Sequence, residues 1–315
     1  MEIYLLACES IENGGGIYRY DFTKEGKLNQ TGYLACDKPM YAKRIANIMH
    51  VLLKQPFQGS NESGYCSIKN FSEFSEIKGS KGVCACHLDV EGEDLYLVNY
   101  LSGNVVKNGE IAVAHEGKGV HTVRQDMPHT HYVSLTPDKK YLIVTDLGID
   151  TLFLYDRDLN EVCRARVPDG YGIRHCVFSK DGTKIYVMNE LIAAISVFSY
   201  TEGKIEYLYT QDIPTTAEKL TGAAIRLSSC GKYLFCSIRG ENTLHSFKIE
   251  DSGFTELSRV DCHGDSPRDI NLIDDKFLIA CNEKSNNAVV FKVEDGKIGE
   301  VTDEVEIVAT LNCEL

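Results

Sequence analysis

Short apolar runs separated by polar turns recur along this chain, and no segment sustains helical periodicity. Five segments share one form: an apolar strand, a polar turn, a strand rich in Tyr, Leu, Ile and Val, then a loop and a third strand. They are HLDVEGEDLYLVNYLSGNV from His87, VSLTPDKKYLIVTDLGIDTLFLY from Val133, CVFSKDGTKIYVMNELIAAISVF from Cys176, IRLSSCGKYLFCSIRGENTLHSF from Ile225 and INLIDDKFLIACNEKSNNAVVF from Ile270. Aligned on Gly92, Asp138, Gly182, Gly231 and Asp275, their turns stand 46, 44, 49 and 44 residues apart. Several short strands at a spacing of about 40–50 residues are the signature of a propeller blade.

Over 315 residues this spacing predicts an all-β, seven-bladed β-propeller of four-stranded antiparallel blades, as a single domain across 1–315. Toward the N-terminus, IYLLACES and GIYRYDF read as two strands joined through Gly14-Gly15-Gly16, followed by KLNQTGYLA. ANIMHVLLKQPF and SGYCSIKNF supply the next blade, with a loop near Gln58–Glu62. The chain thus opens on what reads as a second strand. The C-terminal run EVEIVATL is expected to return as the missing innermost strand, closing the ring by pairing the two ends.

Composition narrows the function. A hydrophobic fraction of 43% supports a sizeable core, and a net charge of −13 without a basic stripe argues against nucleic-acid binding. MEIYLLACES is short, has no basic residue and is flanked by Glu2 and Glu9, so cytoplasmic residence is the expectation. No run approaches the roughly 18 apolar residues of a membrane span, so no membrane partner is expected. The cysteines are dispersed; Cys84 and Cys86 form neither a zinc nor a redox spacing. Reduced core thiols are the expected state, Cys176 beside His175 included.

Strand topology then sorts the loops. In an antiparallel meander the first hairpin turns lie on one face, while the second loops and the links between blades lie on the other. The first set (EGED, TPDKK, SKDGTK, SSCGK, IDDK) is plain turn chemistry. The second receives Pro128-His129-Thr130-His131, Asp146-Leu147-Gly148, Gly172-Ile173-Arg174-His175, Asn189-Glu190, Arg239-Gly240, Ser266-Pro267-Arg268 and Asn282-Glu283. Arginines, histidines and carboxylates gathered on one face of an otherwise acidic protein suit a small anionic substrate. Blander roles compete: His129 and His131 could satisfy backbone groups, Arg174 could simply pair with Glu190, and Asp146 could cap a loop. The His-x-His pair shows no third ligand by spacing, so no metal is expected, and nothing demands an organic cofactor.

PHTHYVSLTPDKKYLIVTDLGID, GYGIRHCVFSKDGTKIYVMNEL, the SIRG segment and SPRDINLI with ACNEKSNNAVVF resemble the lactonase seven-bladed propeller family, which includes the propeller-type 6-phosphogluconolactonases. The resemblance covers roughly residues 80 to 295 in register. It implies hydrolysis of a sugar-phosphate lactone, 6-phospho-D-glucono-1,5-lactone foremost, and a place in the pentose phosphate pathway. It implies His131, Glu190 and Arg174 as catalytic, with His131 or Glu190 as general base. His129, His175, Arg239, Arg268 and Asn282 would bind substrate. The sequence departs from the family in reading Gly222-Ala223-Ala224-Ile225 where an acidic residue is usual, and Ile173 where proline is usual. Residues 50–80 have no family counterpart. A cycloisomerase acting on a dicarboxylate and a non-catalytic scaffold are the competing functions. Oligomeric state is not readable from the sequence.

Overall fold

The computed structural model describes residues 1–54, 61–217 and 219–315, so residues 58–60 of the loop expected near Gln58–Glu62 lie outside it. Among the described residues the chain forms seven antiparallel sheets and one 3-10 turn, Ile11–Asn13, as a seven-bladed β-propeller requires. Six sheets have four strands; the seventh gains a fifth because the two-residue strands Glu73–Phe74 and Lys78–Gly79 share Gly64–Lys69 as partner. The chain divides into two compact units, one of residues 1–40 with 214–315 and one of residues 41–213.

In the first unit, Thr310–Glu314 pairs with Glu2–Ala7 as the innermost strand of the sheet that continues to Gly16–Phe22 and Leu28–Ala35. The termini do pair, but the closing strand starts later than EVEIVATL suggests. Residues 304–306 end the long outer strand Lys297–Glu306 instead. The turn between them is fixed by Ile307 N donating to the Asn286 carbonyl and Ala309 N to Asn286 Oδ1, with Ala309 at φ 41°. Asn312 of the closing strand donates to Asp269 Oδ2 at 2.8 Å, and Arg226 donates to Oδ1 at 2.7 Å, so a buried carboxylate ties three strands. Ile3, Leu5 and Ala7 pack with Ile279, Cys281, Val290 and Cys313 in the core beneath.

In the second unit, Pro39–Ile45, Ala85–Glu91, Thr130–Leu135 and Ile173–Phe178 each begin a sheet. Pro39–Ile45 is a strand that the pattern did not suggest, because charged Lys43 and Arg44 interrupt its apolar alternation. Hairpin turns fall where the repeat places them, with Gly92, Gly182 and Gly231 at φ 64°, 72° and 75°. In the Pro137 turn the left-handed residue is Lys139 (φ 58°) rather than the aligned Asp138, whose carboxylate instead receives Thr136 Oγ1 and Lys140 N.

All cysteines are free thiols, nine of them buried. Burial pushes the Cys66 and Cys262 thiols up to about 12 and Cys176 well above the ordinary thiol value, which suits inert core residues.

Burial also holds His245 below its ordinary pKa, against the opposing pull of Glu256, and holds His50 below it with help from Lys43. An imidazole whose folded pKa lies below the unfolded value of roughly 6.5 is protonated more readily in the unfolded chain. Stability is therefore expected to fall as pH drops below about 6.5, and His245→Gln should flatten that decline. Thermal melts between pH 7.5 and 5 check this; a slope unchanged in His245→Gln contradicts it.

Candidate functional site

One local device places the site residues. Six of the innermost strands carry one extra residue near the start relative to the partner. In the second unit the extra residues are Cys86, His131 and Arg174; in the first they include Arg268 and Leu311. Such a bulge breaks the two-residue alternation and re-aims a side chain. Just outside it, the residue after the second strand donates its N–H to the residue before the first strand. Tyr100 bonds Cys84, Leu147 bonds His129, Glu190 bonds Gly172 and Glu283 bonds Ser266, at 2.7–3.0 Å. Arg174 and Glu190 are thus equivalent in position to Arg268 and Glu283.

In the second unit these positions converge on Glu190, whose side chain is 4% exposed. Its Oε2 lies 2.9 Å from Arg174 Nε, whose N–H is not aimed at that oxygen, so this contact is an ion pair rather than an aligned hydrogen bond. Its Oε1 accepts from Arg124 Nη2. The same Arg124 nitrogen donates to the Tyr100 hydroxyl at 3.2 Å. Burial raises the Tyr100 phenol pKa, so it stays protonated near neutral pH. Glu190 raises that of Arg124 against the cost of burial. Two guanidiniums and one carboxylate leave one net positive charge. Arg174 is 2% exposed, whereas Arg124 is 34% exposed and is the cation open to solvent.

The imidazoles stand beside this cluster. The Tyr100 ring stacks on His129 at 4.4 Å and meets His131 edge-on at 5.6 Å. The His131 ring contacts His175 at 5.3 Å, and His175 in turn touches Tyr132 and His87. His87, to which the sequence reading assigned no role, is sandwiched between Tyr41 and Tyr132 at 4.2 and 4.1 Å.

The structure therefore brings His129, His131, Arg174, His175 and Glu190 together, and assigns them unequal parts. His129 has both ring nitrogens engaged, Nδ1 with the Tyr100 carbonyl and Nε2 with Asp126. Asp146 caps a loop, as the blander reading has it, accepting from His129 N and Gly148 N. Arg239, Arg268 and Asn282 belong to the first unit. There Arg239 Nη2 donates to the Gly222 carbonyl, and Arg268 lies 3.6 Å from Glu283. Asn282 is fully buried, and its amide nitrogen donates to the Cys262 carbonyl. Arg124 and Tyr100 went unrecognised in the sequence. Topology offered a signal, since Arg124 lies in the same inter-blade link as His129 and Tyr100 is the positional equivalent of Glu190.

Blades of this register, with a carboxylate held between two arginines at their bulged ends, define a seven-bladed propeller with a charged candidate site. The chain belongs to the lactonase, 7-bladed β-propeller family, which matches residues 3–312. It is 30% identical to an uncharacterized protein of Staphylococcus aureus over 92% of each chain. Two solved structures share the fold at 22% identity. A Bacteroides fragilis protein provisionally described as a 6-phosphogluconolactonase superposes with TM-score 0.89 over 99% of this chain and 97% of its own. The periplasmic gluconolactonase of Pseudomonas aeruginosa superposes with TM-score 0.88 over 99% and 98%.

Proposed function

We propose that this propeller hydrolyses an anionic sugar lactone, with 6-phospho-D-glucono-1,5-lactone as the leading substrate. The carrying observation is the Glu190 carboxylate held between buried Arg174 and solvent-reaching Arg124, which bonds the Tyr100 hydroxyl, with the His131 imidazole against the Tyr100 ring. Family membership supports lactone chemistry, and the descriptions of the two solved relatives support a gluconolactone.

Hydrolysis adds water to the ester carbonyl, and the new oxyanion must be stabilised before the ring C–O bond breaks. Both Glu190 oxygens are committed to arginines, so the general-base role falls to His131. His131 takes a proton from water as the oxygen attacks the carbonyl carbon. On collapse, the ring C–O bond breaks and the leaving alkoxide takes that proton back. The product carboxylic acid then ionises. Arg124 engages the substrate's anion, and Arg174 keeps the Glu190–Arg124 pair in place while adding fixed positive charge near the oxyanion. Arg239 and Arg268 enter as substrate contacts on the sequence resemblance alone. The protein is proposed to work in the cytoplasm.

A lactone panel tests the substrate class. Phosphorylated gluconolactone should be opened with kcat/KM at least about tenfold above the unphosphorylated lactone, and Arg124→Met should remove most of that preference. Equal rates on both lactones by wild type would refute the phosphate assignment. Preference for a dicarboxylate would favour the cycloisomerase reading.

A further inference from the structure

Beside the catalytic strand lies a buried chain of polar groups that the proposed reaction does not use. The Asp146 side chain is fully buried at the end of strand Tyr141–Asp146. Its Oδ1 accepts from the backbone N–H groups of His129 (2.8 Å) and Gly148 (2.9 Å). Its Oδ2 lies 2.6 Å from Nδ1 of His115, whose side chain is 1% exposed. His115 Nε2 lies 2.9 Å from the Tyr155 hydroxyl. A carboxylate can only accept, so His115 Nδ1 donates to it and Nε2 accepts the Tyr155 proton. Burial raises the Tyr155 pKa, so that hydroxyl keeps its proton to give. The His115 ring is further clamped by Phe153 at 4.0 Å.

These bonds all bear on the segment that presents the base. Leu147 N returns a bond to the His129 carbonyl, and Gln125 Nε2 donates to the Leu147 carbonyl. On the other side, Thr130 Oγ1 donates to the carbonyls of Asn99 and Asn104. His131 is therefore the bulged residue of a backbone pinned immediately before it. Buried carboxylate–imidazole pairs behind a reactive group serve elsewhere to fix its orientation.

We propose that Asp146 and His115 are positioning residues for the reaction: the Tyr155–His115–Asp146 chain locks the His129–Thr130 backbone so that His131 is presented at a fixed place against Tyr100 and His175. The proposal rests on the lactonase reading for its catalytic readout. It also makes a claim about backbone order that can be measured without substrate.

The test compares wild type, His115→Phe and His115→Asn in the full chain. Asn keeps a donor where Nδ1 stands, whereas Phe keeps the ring and removes the donor. In His115→Phe, kcat on 6-phosphogluconolactone should fall about 10–100-fold with KM within about twofold. Amide exchange at His129 and Gly148 should quicken. His115→Asn should restore kcat to within about threefold of wild type and restore the protection. Both variants losing activity only in proportion to lost folded protein, with unchanged exchange at these amides, overturns the proposal. Were wild type to open no lactone, the reading of function would fail, and the exchange comparison would still decide whether His115 orders this segment.

Discussion

Replacing Glu190 with Gln should destabilise the protein by about 3–5 kcal/mol and lower lactone turnover by at least about 10²-fold. The stability loss follows from what is left behind. Arg174, 2% exposed, would keep its charge while losing the Glu190 carboxylate, and burial limits its recovery of hydration. Arg124, one-third exposed, recovers hydration and contributes less. The activity loss follows because Arg124 would lose the carboxylate that holds it beside Tyr100. Thermal melts and initial rates on the same preparations check both parts. Adding Arg174→Met should recover part of the stability and none of the activity, since it removes the stranded charge without restoring the site. A Glu190→Gln protein as stable as wild type would show that the pair is not the buried centre described above.

His131→Asn should behave differently, with kcat falling about 10²–10⁴-fold and the melting temperature nearly unchanged. The ring touches Tyr100 and His175 by edge contacts, and Asn preserves polarity at a bulge whose backbone is held by its neighbours. Loss of the base leaves water without a proton acceptor, while substrate binding through Arg124 persists, so KM should move little. A large rise in KM with kcat retained would instead make His131 a binding residue and return the base role to Glu190. Single-substrate kinetics at saturating lactone separate the two.

The propeller was readable because its information is local. Glycine and aspartate at turns such as Lys180-Asp181-Gly182 announce a hairpin wherever they stand between apolar runs, and their spacing repeats. The same locality explains what was misread. EVEIVATL reads as one apolar run, yet its first residues finish an outer strand, and only the Asn286 bonds to Ile307 and Ala309 set where the chain turns back. His131, Arg174 and Glu190 stood in motifs and could be named as candidates. Arg124 was not, because its partner lies 66 residues away and nothing in the VRQD sequence announces a carboxylate across the loop. The bulges that aim His131 and Arg174 were also invisible, since one unpaired residue leaves no compositional mark.

The most direct measurement is acid release from freshly prepared 6-phospho-D-glucono-1,5-lactone, corrected for spontaneous ring opening, with wild type and His131→Asn at equal folded concentration. The expected result is a wild-type rate well above background that falls by at least about 10²-fold in the variant. Wild-type hydrolysis no faster than background would contradict it, as would a variant that opens the lactone as fast as wild type.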